Sequence, residues 1–333
     1  MGHTGTSPHD LEGRTVITPA PLYFDCDTGV DDSLALAYLL ASPEIRLVGV
    51  GTVSGNVDAR QAATNTLDLL ALGGADGVPV AVGAHDPLRG VYGGGAPDVH
   101  GRNGVGDVVL PASGRAPEAG SAVELLLRLS HEHAGRLRVV AVGPLTNLAL
   151  ALQADPTLPG RILDVTVMGG AALHPGNVSP VGEANVACDP EAAAEVLAAD
   201  WDATLVPLDV TMANLLEESD RKELLEAGTA LAPRLGEVLD LYFGFHVPTF
   251  GRRCSALHDP LAAAIAVGGV TPTVAPRVPV VVDATDGPGR GQTVCDLRGS
   301  YAGYPDVPGA RTRVVLATDA PLAPHLLGRL LTL

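Results

Sequence analysis

Basic residues are scarce in this 333-residue chain: 21 lysines and arginines stand against 38 aspartates and glutamates, a formal net charge of −17. That deficit argues against binding nucleic-acid polymers or anionic membranes, because both require a positive surface. It leaves small neutral ligands open. Cysteine is equally sparse. Cys26, Cys188, Cys254 and Cys295 are widely separated and form no CxxC pair, so neither a zinc site nor a disulfide framework is expected, and a reducing cytoplasm is the expected location. No apolar run approaches the ~20 residues of a membrane-spanning helix. The opening "MGHTGTSPHDLEGRTVITPA" lacks the apolar stretch of a secretory signal. It reads as a flexible tail over residues 1–20, ahead of a single domain over residues 21–333.

What is present is apolar alternation. Hydrophobic residues make up 46% of the chain, enough for a large core. Short Val/Ile-rich runs starting at Ile45, Val78, Leu137, Ile162 and Thr204 read as buried strands. Between them "DARQAATNTLDLLALGG", "SAVELLLRLSHEHAG", "PLTNLALALQ" and "PEAAAEVLAAD" have helical periodicity. The pattern predicts an α/β fold: a mostly parallel central sheet, helices on both faces, and small added strands near the C-terminus. Two stretches, Asp86 to Gly120 and Ala171 to Pro190, read as long loops of the kind that carry function.

Acidic residues crowd one place. "YFDCDTGVDDSLAL" puts Asp25, Asp27, Asp31 and Asp32 between a predicted strand and a predicted helix. Ligands of open parallel sheets bind beyond such strand ends. The helix N-terminus helps to hold Asp31, but the remaining carboxylates need a cation. Hard oxygen ligands favour Ca²⁺ or Mg²⁺ over zinc. A haloacid-dehalogenase-type phosphotransferase motif fails by one register, at Gly29. An EF-hand loop counted from Asp25 fails at Val30 and Leu36.

The string "DCDTGVDDSLAL" resembles the N-terminal signature of the inosine–uridine preferring nucleoside hydrolase family. Further blocks follow in family order: "TVSGNV", "VHGRNGVGD", "VGPLTNLALAL", "VMGGAALHPGNVSPVGEANVACDPEAA" and "LHDPLAAA". Together they span roughly residues 20 to 320. The resemblance implies a calcium-dependent enzyme that cleaves ribonucleosides to ribose and free base through an oxocarbenium-like transition state. It implies side-chain metal ligands at Asp27, Asp32 and Asp259 and a main-chain ligand at Val142, where the family usually has Thr. Asp27 would be the general base. Asp31, Asn56, Asn177, Glu183 and Asn185 would read the ribose, with Met168 beneath it. His258 and His100 would serve the leaving base, near neutral pH as proton donors. Family members are commonly dimers or tetramers, so a homo-oligomer is expected.

Two departures bear on the pocket. Phe commonly occupies the middle of the ExN element, where this chain has Ala184, and the one tryptophan, Trp201, lies away from every block above. The latter counts against a pocket that stacks purines on tryptophan. Tyr242 is a candidate lid residue over the base. Asn147 and Asp189 read as turn or cap residues, and His131, His133, His174, His246 and His325 as surface or packing residues. Two rival readings use the same aspartates: a metal-dependent phosphohydrolase, which would want a Lys or Arg for phosphate, and an inactive nucleoside- or sugar-binding protein.

Overall fold

A computed structural model describes residues 18–333; the tail expected over residues 1–20 falls mostly outside them. Seven strands form the central sheet: β1 (Ala20–Cys26), β2 (Ile45–Thr52), β3 (Val80–Val82), β4 (Leu137–Ala141), β5 (Ile162–Met168), β6 (Ala203–Val206) and β7 (Thr312–Val314). Their order is β7-β6-β5-β4-β1-β2-β3, and every neighbouring pair is parallel. A wholly parallel sheet must be covered on both faces, which is why its strands read as near-continuous apolar runs.

Alternation along β1 shows how the two faces separate. Leu22, Phe24 and Cys26 join one apolar cluster, with the helices Val30–Leu40, Ala232–Phe250 and His258–Val267. Tyr23 joins the other, with the helices Ala122–Glu132, Thr146–Ala154 and Pro190–Ala198.

The expected strands and helices are present, with two differences. The run from Thr204 to Thr211 is not one strand. Pro207 has no N–H to give the ladder, and a short helix, Leu208–Thr211, follows it. Of the C-terminal strands, β7 extends the main sheet beside β6. The rest form small antiparallel pairs, Val280–Val282 with Thr293–Cys295 and Pro272–Val274 with Ala317–Thr318.

Successive crossovers run from β1 outward through β2 to β3 on one side, and from β4 through β5 to β6 on the other. The order therefore reverses between β1 and β4. The crevice beyond their C-terminal ends is where such a fold binds ligands, and it is where Asp27 and Val142 sit.

Candidate active site

β1 ends at Cys26, and the chain turns through Asp27-Thr28-Gly29 into the helix Val30–Leu40. Asp32, in the first turn, holds that turn closed. One of its oxygens accepts the Gly29 N–H (2.8 Å) and the Asn56 amide (3.0 Å), and the other accepts the Asp27 N–H (3.1 Å). Asn56 also donates its own N–H to Asp27 at 2.6 Å. Asp27 fits only because its neighbours are small. A Cβ at Gly143 would come within 2.8 Å of Asp27 Oδ1, and one at Gly55 would collide with Oδ2.

Asp259 enters from the first turn of the helix His258–Val267. Carboxylate oxygens of Asp31, Asp32 and Asp259 lie within 4.8 Å of one another, a group able to hold a metal ion. Asp31, expected at the ribose, belongs to this trio, whereas Asp27, expected as a ligand, is turned towards Asn56. All four carboxylates are buried. Among the described residues no Lys or Arg pairs with any of them.

The electrostatics follow. Burial, and then the charge of Asp32, push Asp31 up to about 7. Burial and neighbouring carboxylates push Asp27 and Asp259 well above the usual range. Asp27 Oδ1 and Asp31 Oδ1 are buried without any hydrogen-bond partner. A dense negative site with orphaned oxygens and no internal cation suits a hard divalent ion.

Two of the trio, Asp31 and Asp259, line a cavity of about 420 Å³. Asp31, Asn56, His100, Val142, Met168, Asn177, Glu183, Asn185, His258 and Asp259 all line it. Asp27 lines an adjoining cavity of about 320 Å³ that shares Asn56, Ala184 and Asn185. No Lys or Arg lines either one.

Several expected residues are more constrained than their types suggest. Glu183 caps the short helix Ala184–Cys188: its oxygens accept N–H groups from Asn185, Val186 and Gly170. Asn185 donates its amide to the carbonyls of Val142 (2.8 Å) and Met168 (3.2 Å), which leaves its Oδ1 as the side chain's uncommitted polar atom. Asn177 accepts the Ala184 N–H.

The histidines are fixed as well. Nδ1 of His100 accepts the Val30 N–H (3.1 Å), so its proton is on Nε2. Nδ1 of His258 lies 2.8 Å from the Thr211 hydroxyl. Burial lowers both rings to about 3. In the free cavity burial thus favours the neutral form of both rings, and His100 in that form still carries a donor on Nε2.

Sequence reasoning missed three groups. Thr211 carries no pattern of its own. His174 and His246, read as surface or packing residues, line the cavity. Tyr242 lies in the buried middle of the helix Ala232–Phe250 and donates to Asp31 at 3.2 Å. Asn147 is more than a cap, since it bonds Asp25, the Thr52 carbonyl and the Ala84 N–H. Asp25, also held by Tyr23 (2.9 Å), stands behind the site rather than in it. Trp201 is buried and donates to the Val196 carbonyl, away from the cavity. Asp189 does cap the helix Pro190–Ala198.

A parallel sheet whose switch point carries buried carboxylates, amides and imidazoles, with no basic group, suits a divalent metal ion and a neutral, hydroxyl-bearing ligand. Over residues 22–323 the chain matches the model of the inosine–uridine preferring nucleoside hydrolases and belongs to that family. It is an N-glycosyl hydrolase of the ribonucleoside-cleaving class. It is 35% identical to an inosine–uridine preferring nucleoside hydrolase of Leishmania major, over 90% of this chain and 94% of that one. It is 37% identical to uridine nucleosidase 1 of Arabidopsis thaliana, over 72% of each. A solved plant nucleoside hydrolase superposes with a TM-score of 0.87 at 31% identity, covering 95% of this chain and 99% of that one. None of the helices among the described residues is long and apolar enough to cross a membrane.

Proposed function

We propose that residues 21–333 act as one catalytic unit that hydrolyses inosine- and uridine-type ribonucleosides with a bound calcium ion. Asp27, Asp32, Asp259 and the Val142 carbonyl would hold the ion, with Asp31 at its edge. The observation that supports this reading is the buried carboxylate group with orphaned oxygens and no basic partner. When bound, the ion supplies Lewis acidity and a hard anchor for hydroxyl oxygens.

The chain's own residues do the rest. Asp27 takes the proton of the attacking water on Oδ1, which no group of the protein bonds. Asp31, Asn56, Asn177, Glu183 and Asn185 hold the ribose, with Met168 packed beneath it. The anionic wall favours the positive charge that develops at the anomeric carbon. On the departing side, His100 and His258 offer hydrogen bonds from neutral rings, and Thr211 orients His258. The reading includes a homodimer or tetramer in the cytoplasm.

A reducing-sugar assay over a panel of ribonucleosides, with and without chelator, tests it. Asp27→Ala is expected to fold normally by circular dichroism and to lose at least ~10³-fold in kcat, in the range of a lost general base. Near-full activity in that variant removes Asp27 from the role, and chelator-insensitive turnover removes the ion.

A further inference from the structure

Resting on the reading of the cavity as a nucleoside site, we propose that His246 reads the base, accepting a hydrogen bond from a ring N–H that lies next to a carbonyl. His246 sits one helical turn after Tyr242 and lines the cavity. Its Nδ1 lies 2.9 Å from the Tyr242 carbonyl oxygen. A carbonyl oxygen cannot donate, so Nδ1 carries the proton and Nε2 keeps its lone pair. Burial keeps the ring neutral. No described protein group bonds to Nε2. Turning the ring over would break the Tyr242 bond.

Packing holds that orientation. The imidazole meets the rings of Tyr242, Phe245 and Phe250 at centroid distances of 4.5, 5.1 and 5.8 Å. His100 has the opposite tautomer, with its proton on Nε2, and packs on the same Tyr242 ring at 5.4 Å. Both rings line the cavity, His100 with a fixed donor and His246 with a fixed acceptor. A base edge carrying C=O next to N–H, as in uracil and hypoxanthine, pairs with both. A base methylated on that nitrogen leaves His246 unpaired in a site built for a partner, and such sites discriminate strongly.

The test compares kcat/KM for uridine with 3-methyluridine and for inosine with 1-methylinosine. In the wild type the methylated substrates are expected to fall by roughly 10²-fold. His246→Phe, a ring without nitrogen, should bring each parent substrate down to within about threefold of its methylated partner. His246→Gln should keep the discrimination, because its amide oxygen accepts. Circular dichroism checks that both variants fold, and the wild-type comparison stands without either. Equal turnover of methylated and parent substrates by the wild type overturns the assignment. Discrimination that survives in His246→Phe also overturns it, since bulk alone would then explain the preference. Turnover of p-nitrophenyl riboside separates the two readings: if it persists while discrimination is absent, only the role of His246 falls. If no riboside is hydrolysed, both fall.

Discussion

Cation binding should depend steeply on pH, because the carboxylates that would meet the ion are buried and crowded. Burial raises Asp31 to about 7 in the ion-free fold, whereas a carboxyl in the unfolded chain titrates near 4. Between about pH 4 and 7 the ion-free native state therefore binds more protons than the unfolded chain. The contribution of this group to stability is fully present below about pH 4 and is lost as pH rises through 7. A cation binds the ionised form and reverses that trend. With an apparent value near 7, about nine-tenths of Asp31 is ionised at pH 8 and about one-hundredth at pH 5. Where binding requires this carboxylate ionised, affinity should then fall by roughly 90-fold, or ~2.7 kcal/mol. Asp27 and Asp259, displaced further in the same direction, can only steepen the fall. Calcium titration calorimetry at pH 8 and pH 5, in buffers of different ionisation enthalpy, measures both the affinity and the protons released. At least half a proton should be released per ion at pH 7. Affinity constant within threefold across that range, with no proton release, would refute the claim that these carboxylates are held protonated by burial.

His258→Ala should slow uridine and inosine far more than p-nitrophenyl riboside, whose leaving group needs no help; equal losses on all three would remove His258 from the departing side. Thr211→Val deletes the hydroxyl that orients His258 and should lower kcat for uridine about tenfold with little change in KM, the size expected for one hydrogen bond to a catalytic group; an unchanged kcat would mean that packing alone fixes the ring. Asn147→Ala leaves buried Asp25 with Tyr23 as its remaining hydrogen-bond donor and strands the Ala84 N–H. It should destabilise the protein by ~2–4 kcal/mol, read as a lower denaturant midpoint at unchanged slope.

Local chemistry made part of the site readable from the sequence. The aspartates of β1 and the following helix are contiguous, so a strand-end motif places them without knowledge of the rest of the chain. The amides Asn56, Asn177 and Asn185 also line the cavity, and they were legible only through the family resemblance of the blocks that carry them. Thr211 and His246 were not legible for the opposite reason. Each acquires a role only through a partner on another segment or through a backbone carbonyl one turn away, and composition marks neither relationship. Pro207 was the available clue to the first, since it ends β6 and starts the short helix that brings Thr211 to His258. The order of the central strands could not be read either: short apolar strands predict a parallel sheet but not that β7 would dock beside β6.

Residue type also overstated how free the site residues are. An asparagine near a sugar suggests two donors and an acceptor, yet both main-chain carbonyls within reach of Asn185 take its amide. Only its oxygen is left, so it can accept from a hydroxyl but not donate to one. Glu183 is likewise committed to two N–H groups of its own turn and to that of Gly170. Such commitments hold the polar wall rigid before substrate arrives, which is what electrostatic stabilisation of a developing positive charge requires. The same logic accounts for glycine at 55 and 143. At either position a single methyl group would press on Asp27, the carboxylate proposed as the general base. Gly143→Ala should therefore impair turnover through displacement of Asp27 while leaving the ribose-side residues in place.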